Sequence, residues 1–149
     1  MSKTISKKLK IKKVLEYMRD NRLMSLGTSL NDKPWLATVF YAFDEKMNIF
    51  FYSRGDTRHC RNIAENSNVS ATINHTWRYP DGKLKAIQLA GKASKVSKTD
   101  HSKYYRIYKT RFKWADEFNS DHVLYVIKPK EMWYIDEKLF GHFHRVKII

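Results

Sequence analysis

The chain has 149 residues, of which 42% are hydrophobic and 14% aromatic, and it carries a formal net charge of +14. That length makes one domain able to bury about 70% of its unfolded surface, and the composition excludes a disordered chain. No apolar run approaches the roughly 20 residues that span a bilayer.

The basic start, Met1 to Lys13, is not followed by a signal-peptide core, because Glu16 interrupts Val14 and Leu15. A cytoplasmic protein is therefore expected. Cys60 is the one cysteine, so no intrachain disulfide exists, in keeping with a reducing compartment. Lys3, Lys7, Lys8, Lys10, Lys12 and Lys13 concentrate much of the charge in one terminal segment. Such an arm is either a solvated helix face or a polyanion contact.

No repeat or linker divides the chain, and one domain over residues 1–149 is expected, with a basic helix in residues 1–22 packed on it. Ile5, Leu9, Val14, Leu15 and Met18 recur at helical spacing, which predicts a helix from Ile5 to Asn21. The period then changes. Strands are expected at Met24–Leu30, Trp35–Phe43 and Ile49–Ser53, with turns at Asn31–Pro34 and Asp44–Asn48. These connections are short enough to make the strands antiparallel. A short helix, Thr57–Glu65, follows the break at Arg54-Gly55-Asp56. Val69–His75 is a fourth strand, Asp81-Gly82 a turn, and Leu84–Val96 a long strand bending at Gly91. Asp100 is expected to cap a third helix running to Phe112. Val123–Ile127 and Met132–Ile135 read as strands around a Lys128-Pro129-Lys130 turn, and Leu139–Ile148 as extended chain. Many short strands in few residues predict a mainly β fold, a barrel with flanking helices, since closure removes exposed edges.

The informative segment is Phe50 to Asn66, FFYSRGDTRHCRNIAEN. A strand ends in Tyr52-Ser53, a glycine loop follows, and Thr57 is placed to cap a helix whose first turns carry Arg58, His59 and Arg61. Its one clear acid, Glu65, lies at the far end. Helix N-termini prefer acids and C-termini bases, so this order is inverted, and Asp56 offsets only part of the misfit. An anion docked on the free N–H groups of the first turn, the Thr57 hydroxyl and the Arg58 guanidinium would resolve it. The alternative is a solvated basic helix start with no ligand.

The run from Trp35 to His75 resembles the FMN-binding split-barrel family, whose best-known member is pyridoxamine 5'-phosphate oxidase. The matching parts are Ala37-Thr38-Val39-Phe40-Tyr41 ending in Asp44, Phe50-Phe51-Tyr52-Ser53, Thr57-Arg58-His59 opening a helix that continues through Asn62-Ile63 to Asn66, and Asn68-Val69-Ser70-Ala71. Ile87-Gln88-Leu89-Ala90-Gly91 matches the family's next strand. Tyr108-Lys109-Thr110-Arg111-Phe112 and the Gly141-containing tail look like a small branch of that family. The resemblance implies an FMN-binding split β-barrel that holds its cofactor between the two subunits of a homodimer. It implies that Thr38 and Val39 meet the flavin edge through their backbone and that Tyr52 and Ser53 lie against the ring and ribityl chain. It implies further that Thr57, Arg58 and His59 hold the phosphate and that Gln88 of the other subunit bonds the flavin. The family often has a lysine where His59 stands, and the oxidase has a basic residue where Tyr41 stands. Tyr104 matches a substrate-gripping tyrosine, but Tyr108 falls where an arginine belongs, and His142-Phe143-His144-Arg145 does not reproduce an Arg-x-His pair. Pyridoxamine phosphate is accordingly not assigned, and the small-molecule substrate is unknown.

Other groupings carry less. His142 and His144, read on a strand, share one side as a metal or haem pair or as plain surface residues. His59 and Cys60 are adjacent on a helix and make a poor zinc pair, so no metal is assigned. Cys60 is either a buried inert thiol or one activated by the neighbouring arginines. Trp77, Trp114 and Trp133 serve either flavin stacking or the core. No acid pair or Ser-His-Asp spacing for hydrolysis stands out. The readings rank as a flavin oxidoreductase first, then a flavin or haem carrier without turnover. Nucleic-acid binding through the basic N-terminal helix comes last.

Overall fold

A computed structural model of the chain describes residues 4–80 and 82–149. Lys3 of the basic arm and Asp81 of the expected turn lie outside the described residues. Ser6 caps the first helix, α1 (Lys7–Asp20), its Oγ accepting from the Leu9 N–H at 3.2 Å. Val14, Tyr17 and Met18 of α1 are buried, and Lys7, Lys8 and Lys12 are exposed.

Strands β1 (Leu23–Leu30) and β2 (Lys33–Phe43) form a hairpin in register from Leu23↔Phe40 to Leu30↔Lys33. Its turn is only Asn31-Asp32, both at positive φ (51° and 60°), so Lys33 and Pro34 belong to the strand rather than to a four-residue turn. Two residues at positive φ match the strands' own twist. Asp44 shapes the next turn, its Oδ1 accepting from the N–H groups of Lys46 and Asn48. β3 (Ile49–Arg54), α2 (Arg58–Glu65), β4 (Asn68–Asn74) and β5 (Lys85–Lys95) follow.

The third helix, α3 (Lys98–Arg111), begins earlier than expected. Its cap is Ser97, whose Oγ accepts from the Asp100 N–H, and Asp100 is the acid of the first turn. A 3-10 turn at Ala115–Phe118 leads to β6 (His122–Asp136), which is one strand, not two strands around Pro129. Proline lacks an N–H, but here it lies opposite the register shift at Ala90/Gly91, where the ladder already loses a bond. The tail is not simply extended. Asp136 Oδ1 accepts from the N–H groups of Lys138 and Leu139 to cap a short helix, α4 (Glu137–Phe140), and β7 (Arg145–Lys147) follows.

The sheet order is β3-β2-β1-β4-β5-β6-β7, and an added β3–β6 pairing closes six strands into a barrel with β7 on the outside of β6. α1 closes the barrel at the start of β1: the Tyr17 hydroxyl reaches the Lys85 carbonyl at 2.9 Å and Val14 and Met18 enter the core. α2 closes it at the other end of β1, where Asn62 Nδ2 donates to Thr28 Oγ1 at 3.0 Å and Cys60 and Ile63 enter the same core. α3 covers the outside of β2, β3 and β6 over a second core of Ala42, Phe50, Tyr108, Phe112 and Leu124.

Candidate functional site

The closure is incomplete. β2 and β3 pair only over Tyr41–Phe43 with Ile49–Phe51. From Lys33 to Phe40, β2 has β1 on one side and, among the described residues, no strand on the other. Main-chain groups on such an edge seek partners. The start of α2 adjoins this open edge, and Arg58 lies over the Trp35 ring of β2, its Cζ 4.2 Å from the centroid.

The first turn of α2 keeps part of its donor capacity. Thr57 Oγ1 donates to the Arg54 carbonyl at 2.9 Å and accepts from the Cys60 N–H at 3.4 Å, so this hydroxyl is an internal cap. The N–H groups of Arg58 and His59 have no acceptor among the described residues. Asp56 does not answer the helix end. Its carboxylate takes both arms of Arg54, at 3.1 and 2.7 Å, which hold it below the usual carboxylate range. Arg61 donates to the Asp56 carbonyl at 2.9 Å.

Arg58 is exposed at the split, and Thr38 is exposed on the outer face of β2. Val39 points into the core. Tyr52 and Ser53, being adjacent on a strand, face opposite ways. Ser53 points inward, its Oγ 3.0 Å from His59 Nε2. Tyr52 points outward under α3, its hydroxyl donating to Asn119 Oδ1 at 2.6 Å and its ring set among Tyr105, Tyr108 and His122. The His59 ring is buried, at 8% exposure, beside Phe51. Burial lowers its pKa, so the imidazole is neutral at pH 7. Ser53, Thr57 and His59 thus form one internal cluster, and Arg58 faces outward without them.

Gln88 lies on the same outer face as Thr38. Register runs Thr38–Ser25–Thr72–Gln88 across four strands, three strand spacings or about 14 Å. One chain's Gln88 therefore does not share a contact with its own Thr38. Its Oε1 accepts from Arg145 Nη1 at 3.1 Å, and Arg145 stacks over Trp133 at 5.2 Å.

Sequence reading missed two participants, Trp35 and Arg145. Nothing in the sequence pairs Trp35 with Arg58 or Arg145 with Gln88, because both contacts join distant elements. The i, i+3 spacing of Arg58 and Arg61, which puts both on one helix face, was legible. His142 and His144 are not on a strand. They lie in the exposed loop before β7, and His142 pairs with Glu137. Among the described residues no cluster of three His, Cys, Asp or Glu side chains is placed to hold a metal, and no helix is long and apolar enough to cross a membrane.

The barrel, its split and the helix that opens beside it define a split-barrel protein. A family model described as "Pyridoxamine 5'-phosphate oxidase" matches residues 11–136, and the chain belongs to that family. Within it the chain groups with the UPF0306 proteins. It is 30% identical over 102 residues to UPF0306 protein PM1958 of Pasteurella multocida, covering 68% of each chain. Among solved structures, a heme binding protein from Mycobacterium smegmatis is similar with a TM-score of 0.78 at 15% identity, over 97% of this chain and 58% of that one. The chain thus spans little more than half the length of that protein. A FAD-binding protein from Mesorhizobium loti is similar with a TM-score of 0.67 at 17% identity, over 89% of this chain and 93% of that one. These structures establish the fold.

Proposed function

We propose that this chain binds FMN in the split of the barrel and acts as a flavin-dependent oxidoreductase, as a homodimer in the cytoplasm. The observation that carries the reading is the unpaired edge of β2 at Lys33–Phe40 beside an α2 start whose arginine lies over that same strand. Family membership supports it.

The residues fit the cofactor in part. Arg58 and the free N–H groups of Arg58 and His59 are donors for a phosphate. The His59 imidazole and the Thr57 hydroxyl are already engaged internally, so they support the phosphate site by holding the first turn in place. The backbone of Thr38 and Val39 offers groups to a flavin edge, and Ser53 braces the start of α2 through His59. Tyr52 faces α3 and has no part in this proposal. FMN, when bound, supplies hydride and electron transfer at its ring. The protein supplies position and a positive field.

The homodimer is supported by the outer face itself. Leu23, Leu36 and Phe40 are 46%, 71% and 45% exposed there, around the row from Thr38 to Gln88. A second copy seated on this face would cover the patch and bring its Gln88 to the site. Cys60 is buried and free, in keeping with a reducing cytoplasm.

The test is titration of FMN, followed by quenching of its fluorescence and by the absorption spectrum of the purified protein. Saturable quenching is expected, weakened tenfold or more in Arg58→Glu. A colourless protein that quenches no FMN refutes the reading. The fold likeness to a haem-binding protein favours a second one, a carrier without turnover. A Soret band on adding haem, with no response to FMN, would select it.

A further inference from the structure

We infer that the cofactor site continues past the flavin phosphate into a groove for a second phosphate and its nucleoside, so that the chain prefers a flavin dinucleotide to FMN. This rests on the flavin reading above and deepens it.

The groove lies between α2 and the β1–β2 turn, has a volume of about 690 Å³, and is lined by Leu30, Asn31, Lys33, Arg58, Arg61 and Glu65 among others. That volume is in the range of small-molecule sites. Three cations face one acid. None of Lys33, Arg58 and Arg61 has a carboxylate within 4.0 Å among the described residues. Arg61 and Glu65 stand four residues apart on α2, within reach of an ion pair. Arg61 instead turns back to the Asp56 carbonyl at the helix start. Lys33 comes to the groove from the neighbouring strand, at the base of a two-residue turn that fixes its place. The cations are thus held on two separate elements around one space.

Arg58 belongs to both regions. It faces the open edge of β2 through Trp35 and also lines the groove. A ligand whose first phosphate meets Arg58 at the helix start leads its next group toward Lys33 and Arg61. In a flavin dinucleotide that group is the second phosphate, followed by adenosine. A separate nicotinamide nucleotide suits the groove less well, because its reactive ring would lie at the phosphate end of the flavin, far from the isoalloxazine.

The test compares FMN and FAD by fluorescence quenching on the full chain, for the natural sequence, Lys33→Gln, and Lys33→Gln with Arg61→Gln. FAD is expected to bind about tenfold more tightly than FMN. The double variant should lose that advantage while its FMN affinity stays unchanged, which also reports an intact fold. Should Arg61→Gln unfold the chain, the single Lys33→Gln variant decides, with a threefold or greater loss for FAD alone. FAD binding no more tightly than FMN, or an advantage that survives in the variants, overturns the inference and leaves the flavin reading standing. Failure of both flavins to bind refutes that reading, and this one with it.

Discussion

Replacing Gly91 with alanine puts a methyl group where the backbone of β6 already passes. A Cβ built on Gly91 would meet the Lys128 carbonyl oxygen and would lie 2.8 Å from the Pro129 Cα and 3.0 Å from the Lys128 carbonyl carbon. All three are main-chain atoms, so no side chain can swing aside. The two strands must part by a few tenths of an ångström or more at the register shift where β5 and β6 stay paired around the bulge. Overpacking of this kind costs about 1–3 kcal/mol, and backbone against backbone puts Gly91→Ala in the upper half of that range. For a chain of this size each kcal/mol is worth roughly 2–4 °C in Tm. A fall of about 5–10 °C is expected. Gly27→Ala is the control. Its Cβ would meet the Ser70 Oγ at 2.7 Å, a hydroxyl that can rotate away, and alanine gains roughly 0.4–1 kcal/mol by restricting the unfolded chain. Thermal unfolding of both variants decides. The reasoning fails if Gly91→Ala melts with the natural chain, or if Gly27→Ala loses as much as Gly91→Ala.

Arg111 donates to the Met18 and Asn21 carbonyls at 2.9 Å each and lies over the Tyr41 and Phe43 rings, so it caps the end of α1 from α3. Arg111→Ala should cost about 2–3 kcal/mol in urea unfolding, after discounting for its partly exposed position, and Arg111→Lys less. An unchanged midpoint in Arg111→Ala would show that the cap is idle. His59 predicts a pH dependence. Burial lowers its folded pKa below the ordinary 6.5, so the unfolded chain takes the proton first. The stability from His59 is full above that value and falls as pH drops through 6.5 toward the folded pKa. The urea midpoint should therefore fall more between pH 7.5 and 5.5 in the natural chain than in His59→Gln. Parallel pH profiles would exclude His59 as the source.

Most elements were legible because each is written in local chemistry. The helical recurrence of Val14 and Met18, the aromatic and β-branched content of β2 and β3, the Thr57 cap and the Gly91 bend all lie where the residues put them. Each misreading turns on a second residue, distant in one case and nearby in two, that overrides the signal of the first. Pro129 signals a turn by itself, but opposite Gly91 it sits in a bulge of a continuous strand. Asp100 is a good cap by type, yet Ser97, three residues earlier, holds that place. His142 and His144 were expected to share a strand face, but Asp136 starts a helix turn that moves the following residues into a loop.

The amino-acid order alone determined a mainly β fold, the inverted charge of the helix after β3, and the residues that carry the family resemblance. These rest on composition, periodicity and short-range spacing, which need no knowledge of the rest of the chain. Tertiary structure decided that His59 turns inward to Ser53 while Arg58 turns outward onto Trp35, and that β2 leaves β3 at Tyr41 to open an edge. It also set Gln88 about 14 Å from Thr38. Those facts follow from which strands pair and where pairing stops. That is a balance of long-range contacts, and no local pattern specifies it.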